Sequence, residues 1–183
     1  MPREEHAVVL DFLPHGYPFD KRPLHLKNPI AQTLGKDSLV LLELVPKKDV
    51  FLQPLEGVYV GEGKRDKIHH IEGRISYDKL TETAKKELEF VIIDIVQERE
   101  KKFVDFFNKA GPMSMRVHQL QLLPGVGKKH LESILEARRE KDFESFHDLK
   151  ERVKLIPQPD KLIIKRILNE LQGIEKHFLF VRP

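Results

Sequence analysis

Over the first 75 residues apolar and polar positions tend to alternate, and proline and glycine break the pattern repeatedly. Ala7-Val8-Val9-Leu10-Asp11-Phe12-Leu13 reads as a strand, stopped by Pro14-His15-Gly16-Tyr17-Pro18, because proline has no amide to give to a ladder. The proline-bearing stretch Asp20–Lys36 reads as a loop, and Ser38–Val45 reads as a second strand, halted at Pro46. Val58-Tyr59-Val60 and Ile68–Ile75 flank Gly61-Glu62-Gly63-Lys64-Arg65-Asp66, which together read as a hairpin with a basic tip. Four or five such short strands suit a small barrel, since an open sheet of that size would leave its edges bare.

Around Ser76–Thr83 the period lengthens to about 3.6. Thr81 or Thr83 offers a hydroxyl cap to a helix on which Leu88, Val91, Ile92, Ile95, Phe103, Phe106 and Phe107 share one broad face. Arg99 interrupts that face, so the pattern fits either one helix reaching Ala110 or two that meet near Glu98–Lys101. Gly111-Pro112 predicts the end, with glycine as cap and proline as stop. The expected class is α+β: a small β-barrel over residues 1–75, a connecting helical segment over 76–110, and an all-α domain over 111–183.

The sharpest signal lies in Leu120–Arg138. Leu120 and Leu123 form the inward side of a short helix, Pro124 follows it, and Gly125-Val126-Gly127 makes a tight turn before Leu131, Ile134 and Leu135 resume an apolar face. Such a turn presents amide N–H groups at a helix N-terminus, where unpaired donors and the positive dipole end favour an anion. Lys128 and Lys129 add two full charges at the same place. A Walker phosphate loop is excluded, because Leu122 stands where that motif needs glycine and Lys129 stands where it needs serine or threonine. Shifting the chain by 33 residues sets Leu123-Pro124 over Ile156-Pro157, Lys128 over Lys161, and Leu131, Ile134 and Leu135 over Ile164, Ile167 and Leu168. In this second copy Gln158, Pro159 and Asp160 replace Gly125, Val126 and Gly127, which makes it a structural repeat without an anion grip.

The Leu120–Arg138 segment resembles the helix-hairpin-helix nucleic-acid-binding motif, whose pattern is apolar-Pro-Gly-apolar-Gly, then Lys or Arg, then an apolar helix. The resemblance implies a grip on backbone phosphate, without sequence readout, at Gly125, Val126, Gly127, Lys128 and Lys129. It also implies a duplicated hairpin unit for the C-terminal region. Phe103-Val104-Asp105-Phe106-Phe107-Asn108 and Leu122–Lys129 carry a whole-chain similarity to an uncharacterised archaeal family of predicted RNA-binding proteins, which implies a binding role for this chain.

Charge then localises the expectation. The net charge is only +3 and the isoelectric point about 9.0. Residues 1–75 hold 11 Lys/Arg against 11 Asp/Glu, residues 76–110 hold 7 against 8, and residues 111–183 hold 14 against 10, so the surplus belongs to the segment with the hairpin. Lys161 and Lys165, with Arg166 beside them, extend that basic face. Lys64, Arg65 and Lys67 mark a second candidate contact, and Tyr17, Phe19, Phe51 and Tyr59 could stack on bases as in an oligonucleotide-binding (OB-like) barrel.

Other chemistry has little footing. The chain has no cysteine, which removes disulfides, thiolate nucleophiles, iron–sulfur clusters and cysteine-based zinc sites. His69 and His70 are adjacent on a predicted strand and so should leave opposite faces, which argues against a shared metal. No carboxylate pair or Ser/His/Asp set suggests a catalytic centre, so no catalytic residue, metal or cofactor is expected. No apolar run exceeds four residues, against about 20 for a membrane span. Met-Pro-Arg-Glu-Glu-His has no secretory leader character, so a cytoplasmic protein is expected. The Lys/Glu-rich, cysteine-free composition resembles that of hyperthermophile proteins. These readings lead to a non-enzymatic nucleic-acid-binding protein, RNA ahead of DNA, with two alternatives: a DNA-binding repair or replication accessory factor, and a protein-interaction module whose hairpin only packs.

Overall fold

Between His6 and Arg74 the chain forms five strands in a computed structural model that describes residues 3–183. They are β1 (His6–Leu13), β2 (Ile30–Gly35), β3 (Leu41–Pro46), β4 (Gly57–Tyr59) and β5 (Ile68–Arg74). All pairings are antiparallel and run in the order β4-β1-β2-β3-β5, giving a curled half-barrel. Five α-helices follow among the described residues, so the class is α+β.

Two strand expectations are corrected. β2 lies inside the stretch read as a loop. It escaped because Ala31, Gln32, Thr33 and Leu34 are all fully buried, so no period-two alternation marks it. Its polar side chains are satisfied internally. Thr33 Oγ1 donates to Leu42 O (3.0 Å), and Gln32 Nε2 donates to the Tyr17 hydroxyl and to Lys79 O (3.2 Å each). The second correction concerns the predicted hairpin. β4 pairs with β1 and β5 with β3, so residues 60–67 cross from one sheet edge to the other. Val58 and Val60 are buried, and the Val60 amide extends the β1 contact by donating to Glu5 O (2.8 Å). The Tyr59 hydroxyl lies over Gly61 and Gly63, close enough that a Cβ at Gly61 would meet it at 2.4 Å. Those glycines make room for a ring.

The chain divides into two units: residues up to Val91 together with Asn169–Pro183, and Ile92–Leu168. In the first unit a β-bulge between Val9 and Asp11 turns both Val9 and Leu10 inward, where each is fully buried. The Thr81 hydroxyl accepts from the Ala84 amide (3.0 Å) and donates to Asp11 Oδ2 (2.6 Å), which starts α1 (Glu82–Glu98). In the tail, the buried Glu170 carboxylate accepts the amides of Leu179, Phe180 and Val181 (2.7–3.1 Å), and the Arg182 amide donates to Ser38 O (2.9 Å).

The helical pattern resolves into two helices. α2 (Glu100–Lys109) begins after Arg99, whose φ −110°, ψ 36° breaks the ladder. Its end is not the glycine cap expected from Gly111, which takes no left-handed conformation. Instead Arg138 Nη1 donates to the carbonyls of Phe107 and Ala110 (3.1 and 2.7 Å), and the Gly111 amide donates to Gln119 Oε1 (2.9 Å). A guanidinium distant in sequence does the capping. α3 (Lys128–Glu140), α4 (Phe146–Arg152) and α5 (Pro159–Leu171) complete the helices. Phe103, Phe107, Leu120, Leu123, Ile134, Leu149, Ile163 and Ile167 are the fully buried apolar centre of the second unit.

Candidate functional site

The candidate turn is built from His118 onward. His118 Nδ1 accepts the Leu120 amide (3.1 Å), and the Gln121 side chain accepts the His118 amide (2.9 Å), a reciprocal cap on the 3-10 turn Gln119–Leu122. Burial, with help from the Arg138 charge, pulls the His118 pKa below the usual histidine value and keeps Nδ1 free to accept. Sequence reading missed this pair, although His-x-x-Gln ahead of an apolar turn is a capping pattern.

Leu123 and Val126 are the inward anchors of the loop that follows, and the Val126 amide donates to Leu123 O (3.2 Å). Between them Gly125 sits at φ +86°, where a side chain would be strained. Gly127 differs: its backbone is extended (φ −94°, ψ −170°) and a Cβ there would meet nothing within 4 Å. Gly127 O accepts the Leu131 amide (3.0 Å), opening α3. The amides of Gly127, Lys128, Lys129 and His130 have no acceptor among the described residues. Lys128 and Lys129 are exposed, with no carboxylate partner among the described residues and no acidic residue in the first turn of α3. Four donors, a positive dipole end and two cations thus share one exposed turn.

The second copy lies beside the first. Arg166 Nη1 donates to Leu122 O (2.9 Å), His130 Nε2 lies 3.0 Å from Leu155 O, and a Cβ on Gly125 would touch Pro157 (3.9 Å). Ile134 and Ile167, matched by the 33-residue shift, are both fully buried. The turns themselves differ: Leu155, at φ +62° and 92% exposed, takes the left-handed position, and α5 starts at Pro159 with Asp160 in its first turn. Arg166 is buried and turned inward, so it does not join Lys161 and Lys165, which are exposed.

In the first unit Lys64 and Lys67 are exposed, but Lys67 is paired with Glu56, and half-buried Arg65 uses Nε to hold Gly61 O (2.7 Å). Phe19 and Phe51 are each 77% exposed. Tyr17 stacks on Phe19 (4.9 Å, 10°), and its hydroxyl donates to Glu43 (2.5 Å). Burial, with that carboxylate, pushes its pKa up to about 12. Tyr59 meets His6 edge-on and accepts from the Gly63 amide. Of the four aromatics singled out, two offer open faces.

His69 Nδ1 lies 2.8 Å from His70 Nδ1, so the adjacent rings approach each other instead of leaving opposite faces. The irregular β3–β5 ladder near Pro46 accounts for it. No group of three or more His, Cys, Asp or Glu side chains able to hold a metal occurs among the described residues. No described helix is long and apolar enough to cross a membrane.

The α+β arrangement, a curled antiparallel sheet with five helices, defines a class that comparison narrows further. The chain belongs to the family described as "Protein of unknown function (DUF655)", whose model matches residues 3–182. It is 45% identical over 181 residues to "Uncharacterized protein MJ0038" of Methanocaldococcus jannaschii, covering 98% of this chain and 80% of the relative. It is also similar to the crystal structure of Af1531 from Archaeoglobus fulgidus, with a TM-score of 0.88 and 46% identity over 98% of this chain and 100% of that one. Archaeal homologues are thus established.

Proposed function

We propose that the chain is a non-enzymatic nucleic-acid-binding protein that grips backbone phosphate through a helix-hairpin-helix turn at Gly125–Lys129, with RNA favoured over DNA. The observation that carries this reading is the set of four acceptor-free amides, Gly127 to His130, beside the unpaired Lys128 and Lys129. Donors fixed by a helix N-terminus can bind a phosphate oxygen without reorganising, and such contacts carry no sequence information.

The second turn, with two prolines and Asp160, braces the first and contributes no grip. Lys161 and Lys165 supply long-range attraction on α5. The preference for RNA rests on the first unit, taken as an OB-like half-barrel: open rings at Phe19 and Phe51 suit unpaired bases, and Lys64 is exposed within the 60–67 crossing.

Direct competition among single-stranded RNA, duplex RNA, duplex DNA and branched DNA against one labelled RNA tests the proposal. Single-stranded RNA should compete best and duplex DNA only weakly. Branched DNA competing best would replace the RNA preference with the repair or replication role. No retention of any of the four would overturn nucleic-acid binding and leave the protein-interaction role.

A further inference from the structure

Because β4 and β5 do not pair with each other, the half-barrel has a gap between its two edges, and a cavity of about 420 Å³ lies there. The cavity is contained in the first unit. Its floor is apolar, with Val40 and Leu42 at and before β3, Val60 just past β4, and Ile71 on β5. Its rim carries three guanidinium groups from separate stretches of chain, Arg3, Arg65 and Arg74.

The carboxylates nearby are already engaged. Glu4 is buried and accepts the amides of Asp37 (2.5 Å) and Ser38 (2.9 Å), and Glu62 pairs with Arg3. Arg65 spends only Nε on Gly61 O, which leaves its terminal nitrogens available. The Arg74 side chain makes no hydrogen bond or ion pair with any described residue. The rim therefore holds unspent planar donors of the kind that bind phosphate in a bidentate fork.

The volume is at the small end of the ~300–1,000 Å³ typical of ligand pockets, which limits the ligand to a small molecule, while the apolar lining suits a flat apolar body and the guanidinium groups suit one anionic group. β5 has no ladder partner on its outer side and gives Ile71 and Arg74 to the lining, so its unpaired backbone amide and carbonyl groups lie at hand for the edge of a heterocycle. An alkyl anion would leave those groups unanswered. We propose that this cavity binds one nucleoside monophosphate unit, with its base on the Val40–Leu42–Ile71 floor and its phosphate on Arg65 and Arg74. The same chemistry is offered by a free mononucleotide and by the phosphorylated end of a strand. The site stands independently of the hairpin reading.

Calorimetric titration of the full chain with the four nucleoside 5′-monophosphates, inorganic phosphate, and 5′-phosphorylated and unphosphorylated RNA tetranucleotides tests it. At least one monophosphate should bind ten times more tightly than inorganic phosphate. Arg74→Gln should weaken that binding about tenfold, the loss of one charge-assisted contact, without moving the melting temperature. Lys128→Ala/Lys129→Ala should leave it unchanged, so a failed hairpin and a failed cavity give different results. A stronger response to the phosphorylated tetranucleotide than to any monophosphate assigns the site to strand ends, and the reverse assigns it to free nucleotides. Phosphate binding as well as every monophosphate, no monophosphate binding at all, or an Arg74→Gln variant that binds normally would each overturn the proposal.

Discussion

Two glycines one residue apart do different work in the candidate turn. Gly125 needs its missing Cβ for conformation, so Gly125→Val should cost roughly 2–3 kcal/mol of stability, measured by denaturant unfolding. Gly127 has ordinary extended backbone and open space around it, so Gly127→Val should cost no more than about 1 kcal/mol, the difference between a glycine and a β-branched residue at a helix cap. If the turn receives phosphate at its backbone, the better-folded variant is still the one that loses RNA affinity. Equal affinity for Gly127→Val and wild type would mean that no ligand approaches this backbone.

His118 supports the same turn with a titratable group. Its folded pKa is lowered by burial and by Arg138, so the folded state prefers the neutral ring that accepts the Leu120 amide. Its contribution to stability is complete above the unfolded histidine pKa of about 6.5 and is lost as pH falls below that value. Wild type should therefore lose more stability than His118→Asn between pH 7 and pH 5, as read by parallel urea titrations. Identical pH profiles would remove His118 as the source.

At the scale of elements, what could be read in the chain depended on a wet face or an unbroken apolar run. β1, α1 and α2 show their periods because one side meets water, β3 is buried almost throughout but announces itself by the apolar run from Leu39 to Val45 that only Glu43 interrupts, and the Arg99 break is visible as a charge in an apolar face. β2 is hidden because every residue from Ala31 to Gly35 is buried, polar Gln32 and Thr33 included, so its signal is satisfaction by distant groups such as Lys79 O and Thr81 N. The pairing of β4 with β1 is equally non-local. A Gly-rich segment between two strands is the sequence of a hairpin, and only packing around the Tyr59 ring distinguishes a crossing from a turn. The candidate turn was legible because its geometry is local: Leu123, Pro124, Gly125, Val126 and Gly127 set it within five residues. Its bracing was not, since Arg166 and Arg138 act on Leu122, Phe107 and Ala110 from 28 to 44 positions away.

At the scale of the whole chain, the charge surplus follows the structural division. Ile92–Leu168 holds 16 Lys/Arg against 12 Asp/Glu, and the other unit holds 16 against 17, so a +3 protein consists of a nearly neutral sheet unit and a helical unit of +4. The buried Glu170 carboxylate gathers three tail amides, and the Arg182 amide joins the tail to the sheet at Ser38 O. Glu170→Ala should lower stability by roughly 2–3 kcal/mol and expose Leu179–Val181 to hydrogen exchange. An unchanged exchange pattern would show that the tail is held by its other contacts, the Arg182–Ser38 bond among them.

A polyanion held at Gly125–Lys129, as proposed, must show itself in the salt dependence of RNA affinity. Plotted as log K against log salt, wild type should fall steeply, and Lys128→Ala and Lys129→Ala should each flatten the slope by about 0.7, the value for one phosphate of a single strand, regardless of RNA sequence. An affinity indifferent to salt, or two variants whose slopes match wild type, would contradict it.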